Sequence, residues 1–230
     1  MTESKVVMTD PRRQDYFYEE AIKTLRTNVQ FTGAEIKTIV LTSCYPNEGK
    51  SDIAFHLAFE MGKMGKNTII VDADIRKSSF IKRFQVKGRI EGLSQYLSGQ
   101  CQMEDIVYQT NFTGVDIVFS GPVAPNPSEL LGQESFSAMV QALREKYDYV
   151  LIDTPPIANL IDAAVVAGQC DGAILVIESD AVSRKIAIKA REQLEVSGCR
   201  MLGAVLNKVD VKKTNKYYSK YGYYGKTKQK

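Results

Sequence analysis

The 230-residue sequence contains no tryptophan and a single histidine, His56. One histidine, set inside a helical apolar pattern, excludes a His-rich metal site and argues against a Ser-His-Asp hydrolase. The four cysteines, Cys44, Cys101, Cys170 and Cys199, show no C-x-x-C spacing. They read as buried thiols, not as zinc ligands or a disulfide framework. Apolar runs such as Ala163-Ala164-Val165-Val166-Ala167 fall far short of the ~20 residues a membrane helix needs. The N-terminus is polar and has no apolar signal region, so a soluble cytoplasmic protein is expected. With 44% hydrophobic and 25% charged residues, wholesale disorder and fibrous repeats are excluded. The length suits one domain with appendages.

Charge is unevenly placed. The net charge is +3, but from Asn207 onward eight lysines face one acid, Asp210, which makes that stretch +7. The preceding 206 residues therefore carry −4. A mildly acidic body argues against a nucleic-acid groove and for a C-terminus that acts separately.

Residues 1–13 read as a flexible leader and 14–211 as the domain proper. Residues 212–230 read as a flexible tyrosine-rich tail. Phe17, Ala21, Leu25 and Val29, four apart among charges, predict an amphipathic helix over 14–31. Strand-like runs rich in Val and Ile follow at 38–43, 68–72, 115–119, 149–153, 173–177 and 202–206. They look like strands buried on both faces. Helical stretches at 50–64, 91–109, 127–146, 162–167 and 183–197 alternate with them. The pattern predicts an α/β fold with a mostly parallel sheet flanked by helices, and ligands beyond the carboxyl ends of the strands.

The informative residues fall at those ends. The first expected strand runs into Ser43-Cys44-Tyr45-Pro46-Asn47-Glu48-Gly49-Lys50-Ser51 and straight on into a helix. Gly-Lys-Ser at such a junction closes a phosphate-binding loop. Backbone N–H groups and the helix N-terminus hold the anion, the lysine meets the β/γ-phosphates, and the hydroxyl reaches Mg2+. Cys44 stands where the strict pattern has glycine, so neighbouring strand ends must decide the reading. One of them carries Asp72-Ala73-Asp74-Ile75-Arg76. Two carboxylates so placed crowd like charge unless a cation joins them; a solvated strand end is the plainer alternative. Another closes on Asp153 in Tyr149-Val150-Leu151-Ile152-Asp153-Thr154-Pro155-Pro156, where phosphate-loop proteins hold a further Mg2+ ligand. Three strand ends thus converge on one metal–nucleotide site.

Asn207-Lys208-Val209-Asp210 closes the sixth strand. An N-K-x-D stretch can read guanine or be an ordinary turn against any purine, and both readings stay open. Asn126, Pro127 and Glu129 form a helix start. In the tail, Tyr217, Tyr218, Tyr221, Tyr223 and Tyr224 crowd into eight residues among lysines and glycines. Such a segment suits stacking on single-stranded nucleic acid or a run of phosphoacceptors, and fits a core strand poorly.

Jointly, the deviant loop, the D-x-D strand, the Y-V-L-I-D-T-P-P strand and the tyrosine-rich end resemble the bacterial tyrosine kinases (BY-kinases) of capsule and exopolysaccharide systems, in their stand-alone form. The similarity runs from about Tyr18 to the end. It takes in Glu20-x-x-Lys23-x-x-Arg26, Ser120-Gly121-Pro122, Pro125-Asn126-Pro127 through Leu131, and L-G-A-V-L-N-K ending at Lys208. The resemblance implies a phosphate-loop (P-loop) NTPase-like fold and an ATP-dependent autokinase that phosphorylates its C-terminal tyrosines in trans. By motif match, Lys50 and Ser51 belong to Walker A, Asp72 and Asp74 to Walker A′, and Asp153 to Walker B. Lys50, Asp72, Asp74 and Asp153 are then catalytic, with Asp72 nearest the acceptor hydroxyl. Mg2+ falls to Ser51, Asp74 and Asp153, and ATP to Asn47, Glu48, Gly49, Lys50, Ser51 and Asp52, with Asn207 and Lys208. Tyr217, Tyr218, Tyr221, Tyr223 and Tyr224 are the phosphoacceptors.

The implied partners are a transmembrane adaptor that activates the kinase at the inner membrane face, a protein-tyrosine phosphatase, and a homo-oligomeric ring. The ring would be built through Glu20, Lys23 and Arg26 on one face of the first helix; no nucleic acid is implied. Two positions depart from the family: Lys23 replaces an arginine, and Asp52 replaces a small hydroxyl residue beside the phosphates. The rival reading is a nucleotide switch, ATPase or GTPase, of the septum-positioning and partition type. Those proteins carry a lysine where this chain has Tyr45.

Overall fold

The computed structural model describes residues 4–10, 15–78 and 80–210. Its strands are β1 (Ser4–Val6), β2 (Thr38–Ser43), β3 (Thr68–Asp72), β4 (Val107–Thr110), β5 (Val115–Val118), β6 (Tyr149–Asp153), β7 (Gly172–Glu178) and β8 (Arg200–Asn207). They form one sheet in the order β1-β4-β5-β3-β6-β2-β7-β8, parallel throughout except where β4 runs against β5. The helices are α1 (Tyr16–Gln30), α2 (Lys50–Lys63), α3 (Phe80–Arg83), α4 (Leu93–Leu97), α5 (Met103–Ile106), α6 (Pro127–Leu131), α7 (Glu134–Lys146), α8 (Asp162–Ala167) and α9 (Arg184–Val196).

The central strands alternate side chains between two cores, as the period of two requires. Ile39, Leu41, Ile70 and Leu151 meet Phe55, Leu57 and Met61 of α2, over which Ile22 and Val29 of α1 pack. Val40, Ile69, Val71, Val150 and Ile152 meet Phe136 and Leu143 of α7, Val166 of α8 and Leu194 of α9. Each such fully buried aliphatic chain contributes about 1.5–3 kcal/mol over its exposed state. Helices cover both faces, so the strand ends are where the sheet meets solvent.

Four sequence expectations give way. Ser4–Val6, inside the expected loose leader, forms β1 beside β4. A three-residue edge strand is too short to show as an apolar run. The expected helix 91–109 is α4, α5 and then β4, because β-branched Val107 and Thr110 favour a strand. The expected helix 127–146 is broken into α6 and α7 at Gly132. Finally, β8 is not buried on both faces: each of its residues is exposed or half-buried, and Leu206 is 60% exposed. Among the described residues, no helix is long and apolar enough to cross a membrane. The tyrosine cluster at 217–224 lies outside the described residues.

Candidate active site

Three central strands deliver the acidic and cationic groups to one point. β2 ends at Ser43 and the chain turns through Asn47 (φ 68°) and Gly49 (φ 93°) into α2. Glycine is required at 49: the backbone is left-handed, and a Cβ there would collide with the Asn207 amide. Gly49 gives α2 no side-chain cap, so the positive end of the helix stays available to an anion. Lys50 and Ser51 open α2.

Adjacent β3 and β6 end in register, with Asp72 directly across from Asp153. Cross-strand like charges oppose pairing, and both carboxylates are buried, at 0% and 1% exposure. Lys50 answers them. Its Nζ lies 3.4 Å from Asp153 Oδ2 and 4.0 Å from Asp74 Oδ2. Ser51 Oγ donates to Asp153 Oδ2 at 2.6 Å. Burial works against the Lys50 charge, yet Asp153, Asp74 and Asp72 together hold its pKa above the ordinary value. Burial, then the charge of Asp153, pushes Asp72 up to about 7. Burial also raises Asp153, against the pull of Lys50 and Ser51.

Asp153 Oδ1 is buried with no hydrogen-bond partner, one of few such side-chain atoms among the described residues. An unpartnered carboxylate oxygen beside a hydroxyl and two further carboxylates is a hard-oxygen donor set, which fits Mg2+. Among the described residues, no three acidic, cysteine or histidine side chains form a closed metal cage. Mg2+ does not ask for one, because it keeps waters and substrate phosphates as ligands.

Several side chains that sequence alone did not single out complete the site. Ser78 Oγ donates to Asp72 Oδ2. Arg76 grips Asp162, the fully buried first residue of α8, at 2.5 and 3.0 Å. This ties the loop after β3 to the one after β6. The Arg76 pairing has no local sequence signal, since the arginine and its aspartate are 86 residues apart.

Other nominated residues turn elsewhere. The Glu48 carboxylate faces inward, taking the Tyr45 and Glu178 N–H groups at 2.6 and 3.1 Å. Asn207 Nδ2 donates to the Glu48 carbonyl at 2.8 Å, and Lys208 Nζ to the Asn47 carbonyl at 2.6 Å. The Asp52 carboxylate pairs with Arg83 of α3. Asn126 does not cap α6 through its side chain; its amide donates to Glu129 at 2.8 Å.

Along α1, Glu20, Lys23 and Arg26 meet different partners. Glu20 and Lys23 pair at the surface at 2.7 Å, while Arg26 turns in to Glu60 of α2 at 3.3 Å. Glu60 is 5% exposed, and its buried charge is met by Arg26 on one oxygen and by Lys63, at 2.7 Å, on the other.

Residues 36–189 match the family model described as an AAA domain. Over 218 residues the chain is 41% identical to tyrosine-protein kinase CpsD of Streptococcus agalactiae, covering 95% of this chain and 94% of that one. To tyrosine-protein kinase YwqD of Bacillus subtilis it is 35% identical, covering 98% and 92%. This chain belongs to the bacterial tyrosine kinases. It is a protein-tyrosine kinase. The crystal structure of the chimerical protein CapA2B2 superposes with a TM-score of 0.79 at 30% identity, covering 90% of this chain and 94% of that one. The septum site-determining protein MinD of Pyrococcus horikoshii, complexed with Mg-ADP, follows at a TM-score of 0.66 and 26% identity. It covers 76% of this chain and 71% of that one. The rival nucleotide-switch reading therefore shares the fold, while the relatives at high coverage are kinases.

Proposed function

We propose that this kinase transfers the γ-phosphoryl group of ATP to Tyr217, Tyr218, Tyr221, Tyr223 and Tyr224 of a neighbouring copy. In this reading it serves the synthesis and export of a capsular or extracellular polysaccharide. It acts in the cytoplasm at the inner membrane face, under a transmembrane adaptor and opposed by a protein-tyrosine phosphatase. The observation that carries the reading is the meeting of Lys50, Ser51, Asp72, Asp74 and Asp153 at three adjacent strand ends, with Asp153 Oδ1 left unpartnered.

The loop from Asn47 to Ser51 and the open end of α2 bind the triphosphate, and Lys50 sets its positive charge against the β- and γ-phosphates. Ser51, Asp74 and Asp153 would hold Mg2+, which neutralises phosphate charge when bound. The tyrosine oxygen attacks the γ-phosphorus, the bond to the β–γ bridging oxygen breaks, and ADP leaves. The phenolic proton passes to Asp72, whose pKa of about 7 suits a general base near neutrality. Ser78 orients that carboxylate. A phenol of pKa near 10 needs such help.

The segment from Lys212 to Tyr224 spans up to roughly 40 Å when extended, enough to reach a neighbouring site in a ring assembled through α1. Its positive charge suits the acidic cluster. Five phosphates would add about −7.5 to −10 and reverse that attraction, which gives the assembly a way to loosen after the reaction.

The test is peptide mass spectrometry of the purified chain after incubation with Mg-ATP, with adaptor peptide added in parallel. Phosphate confined to Tyr217–Tyr224, absent in Lys50→Met and in a chain truncated after Lys213, is the expected result. Phosphate on none of these tyrosines, with and without adaptor peptide, would overturn it.

A further inference from the structure

Glu48 lies between two residues of positive φ in a loop that faces solvent, yet it is 2% exposed. Burying a carboxylate is costly unless its oxygens are hydrogen-bonded, and the loop supplies those bonds. Oε1 accepts the Tyr45 N–H at 2.6 Å, with the Cys44 N–H also turned to the carboxylate. Oε2 accepts the N–H of Glu178, the last residue of β7, at 3.1 Å. The backbone around Glu48 is held from the other side. Its carbonyl takes Asn207, the last residue of β8, and the preceding carbonyl takes Lys208. Lys208 also pairs with the Glu178 carboxylate at 2.7 Å. Glu48, Glu178, Asn207 and Lys208 thus form a closed circuit through the loop and the ends of β7 and β8.

We infer that Glu48 is a positioning residue, which fixes the phosphate-binding loop in its binding shape and so sets the affinity for the nucleotide. The inference rests on reading residues 47–51 as the nucleotide loop. The carboxylate is spent on N–H groups at the start of the loop, Cys44 and Tyr45, and on the end of β7. The N–H groups at the start of α2 stay free of it. A negative strut can therefore sit inside an anion-binding loop without competing for the donors the anion needs. Fixing the loop beforehand lowers the ordering cost that binding would otherwise meet.

The isosteric Glu48→Gln change separates this role from plain stability. A glutamine can accept one of these hydrogen bonds but turns an NH2 group toward a backbone N–H. The full chain is titrated with Mg and a fluorescent ATP analogue, and its thermal melt and steady-state kinetics are recorded alongside. Glu48→Gln is expected to weaken binding about tenfold and to raise the KM for ATP in step. Its kcat should stay within about threefold, and its Tm within a few degrees. Lys208→Met, which cuts the other tie, is expected to weaken binding about threefold. Because both act through one loop, the double variant should lose less than the product of the two.

Unchanged affinity in Glu48→Gln would overturn the inference, and so would a loss that tracks the fall in Tm or is strictly multiplicative with Lys208→Met. If Glu48→Gln does not fold, Lys208→Met alone decides: wild-type affinity in that variant sinks the brace. A wild-type chain that fails to bind the analogue at all removes the nucleotide reading, and the brace with it.

Discussion

The two ends of the sheet treat an aspartate in opposite ways. At the amino end, Asp171 leads into β7 and takes the Lys37 and Thr38 N–H groups, each at 2.9 Å, together with the Arg144 guanidinium. Burial works against its charge, but those bonds carry its pKa below the ordinary value. At the carboxyl end, Asp72 and Asp153 face each other across two strands, both pushed up, and one oxygen of Asp153 has no partner. The same residue type closes a structural circuit at one end and is held short of satisfaction at the other. A fold optimised for stability alone would not keep the second arrangement, which makes sense when a ligand completes it.

The sharpest way to break this comparison is to neutralise one aspartate at each end. Asp153→Asn should cut phosphotyrosine formation by at least about 100-fold, the scale of losing one group that stabilises transition-state charge. Its Tm should stay within a few degrees of wild type or rise, because buried like charge is relieved. Asp171→Asn should do the reverse, keeping activity within about twofold while lowering stability. Phosphate transfer assayed by mass spectrometry and thermal melts of both variants check the pair. Loss of stability in Asp153→Asn comparable to Asp171→Asn would erase the distinction.

The carboxyl end was the more legible of the two in the sequence, for a physical reason. Buried parallel strands need continuous apolar runs, and Thr38–Ser43, Thr68–Asp72 and Tyr149–Asp153 are such runs, each ending in a polar residue. Polar groups at the end of an apolar run stand out, so Ser43 with its loop, Asp72 and Asp153 could be nominated. What could not be read is long-range pairing. Arg76 with Asp162, Glu48 with Glu178 and Arg26 with Glu60 join residues whose sequence neighbourhoods say nothing of each other. Ser78 is close to Asp72 in sequence, but a serine in a turn carries no signal until the turn folds back. Two short strands were hidden too, since β1 and β4 have only three and four residues.

A pH series on stability sharpens the comparison further. Asp72 has a folded pKa of about 7, above its ordinary 3.8. Its ionised form therefore opposes folding above about pH 7, and the penalty is gone below about pH 4. Asp171 lies below 3.8 when folded, so its contribution is complete above that pH and is lost as pH falls through the folded value. In urea unfolding, Asp72→Asn should be more stable than wild type by about 1–4 kcal/mol at pH 8, with the gap narrowing toward pH 5. Asp171→Asn should be less stable by about 1–2 kcal/mol at both pH values, since half-exposed hydrogen bonds are screened. It should converge on wild type only in stronger acid. An Asp72→Asn variant that is destabilised at pH 8 would contradict the reading of the carboxyl end.

The smallest effect concerns a carboxylate at the carboxyl end whose charge is met by an arginine, although its Oδ1, like that of Asp153, is buried without a partner. Asp52 sits in the first turn of α2, beside the phosphate-binding residues, where a negative charge suits the helix dipole but opposes an incoming anion. Arg83 pairs with it, so the nucleotide should meet a neutralised group. Arg83→Ala should raise the KM for ATP about three- to fivefold with kcat nearly unchanged, the scale of a partly exposed charge. Added salt should shrink the difference, because the exposed interaction is screened over about 10 Å at 0.1 M. Combining Asp52→Ser with Arg83→Ala removes both charges and should restore the KM. If the double variant stays as weak as Arg83→Ala, the arginine acts on the nucleotide by some route other than Asp52. The helix start would then join the unsatisfied aspartates as a place where charge is held ready for the ligand.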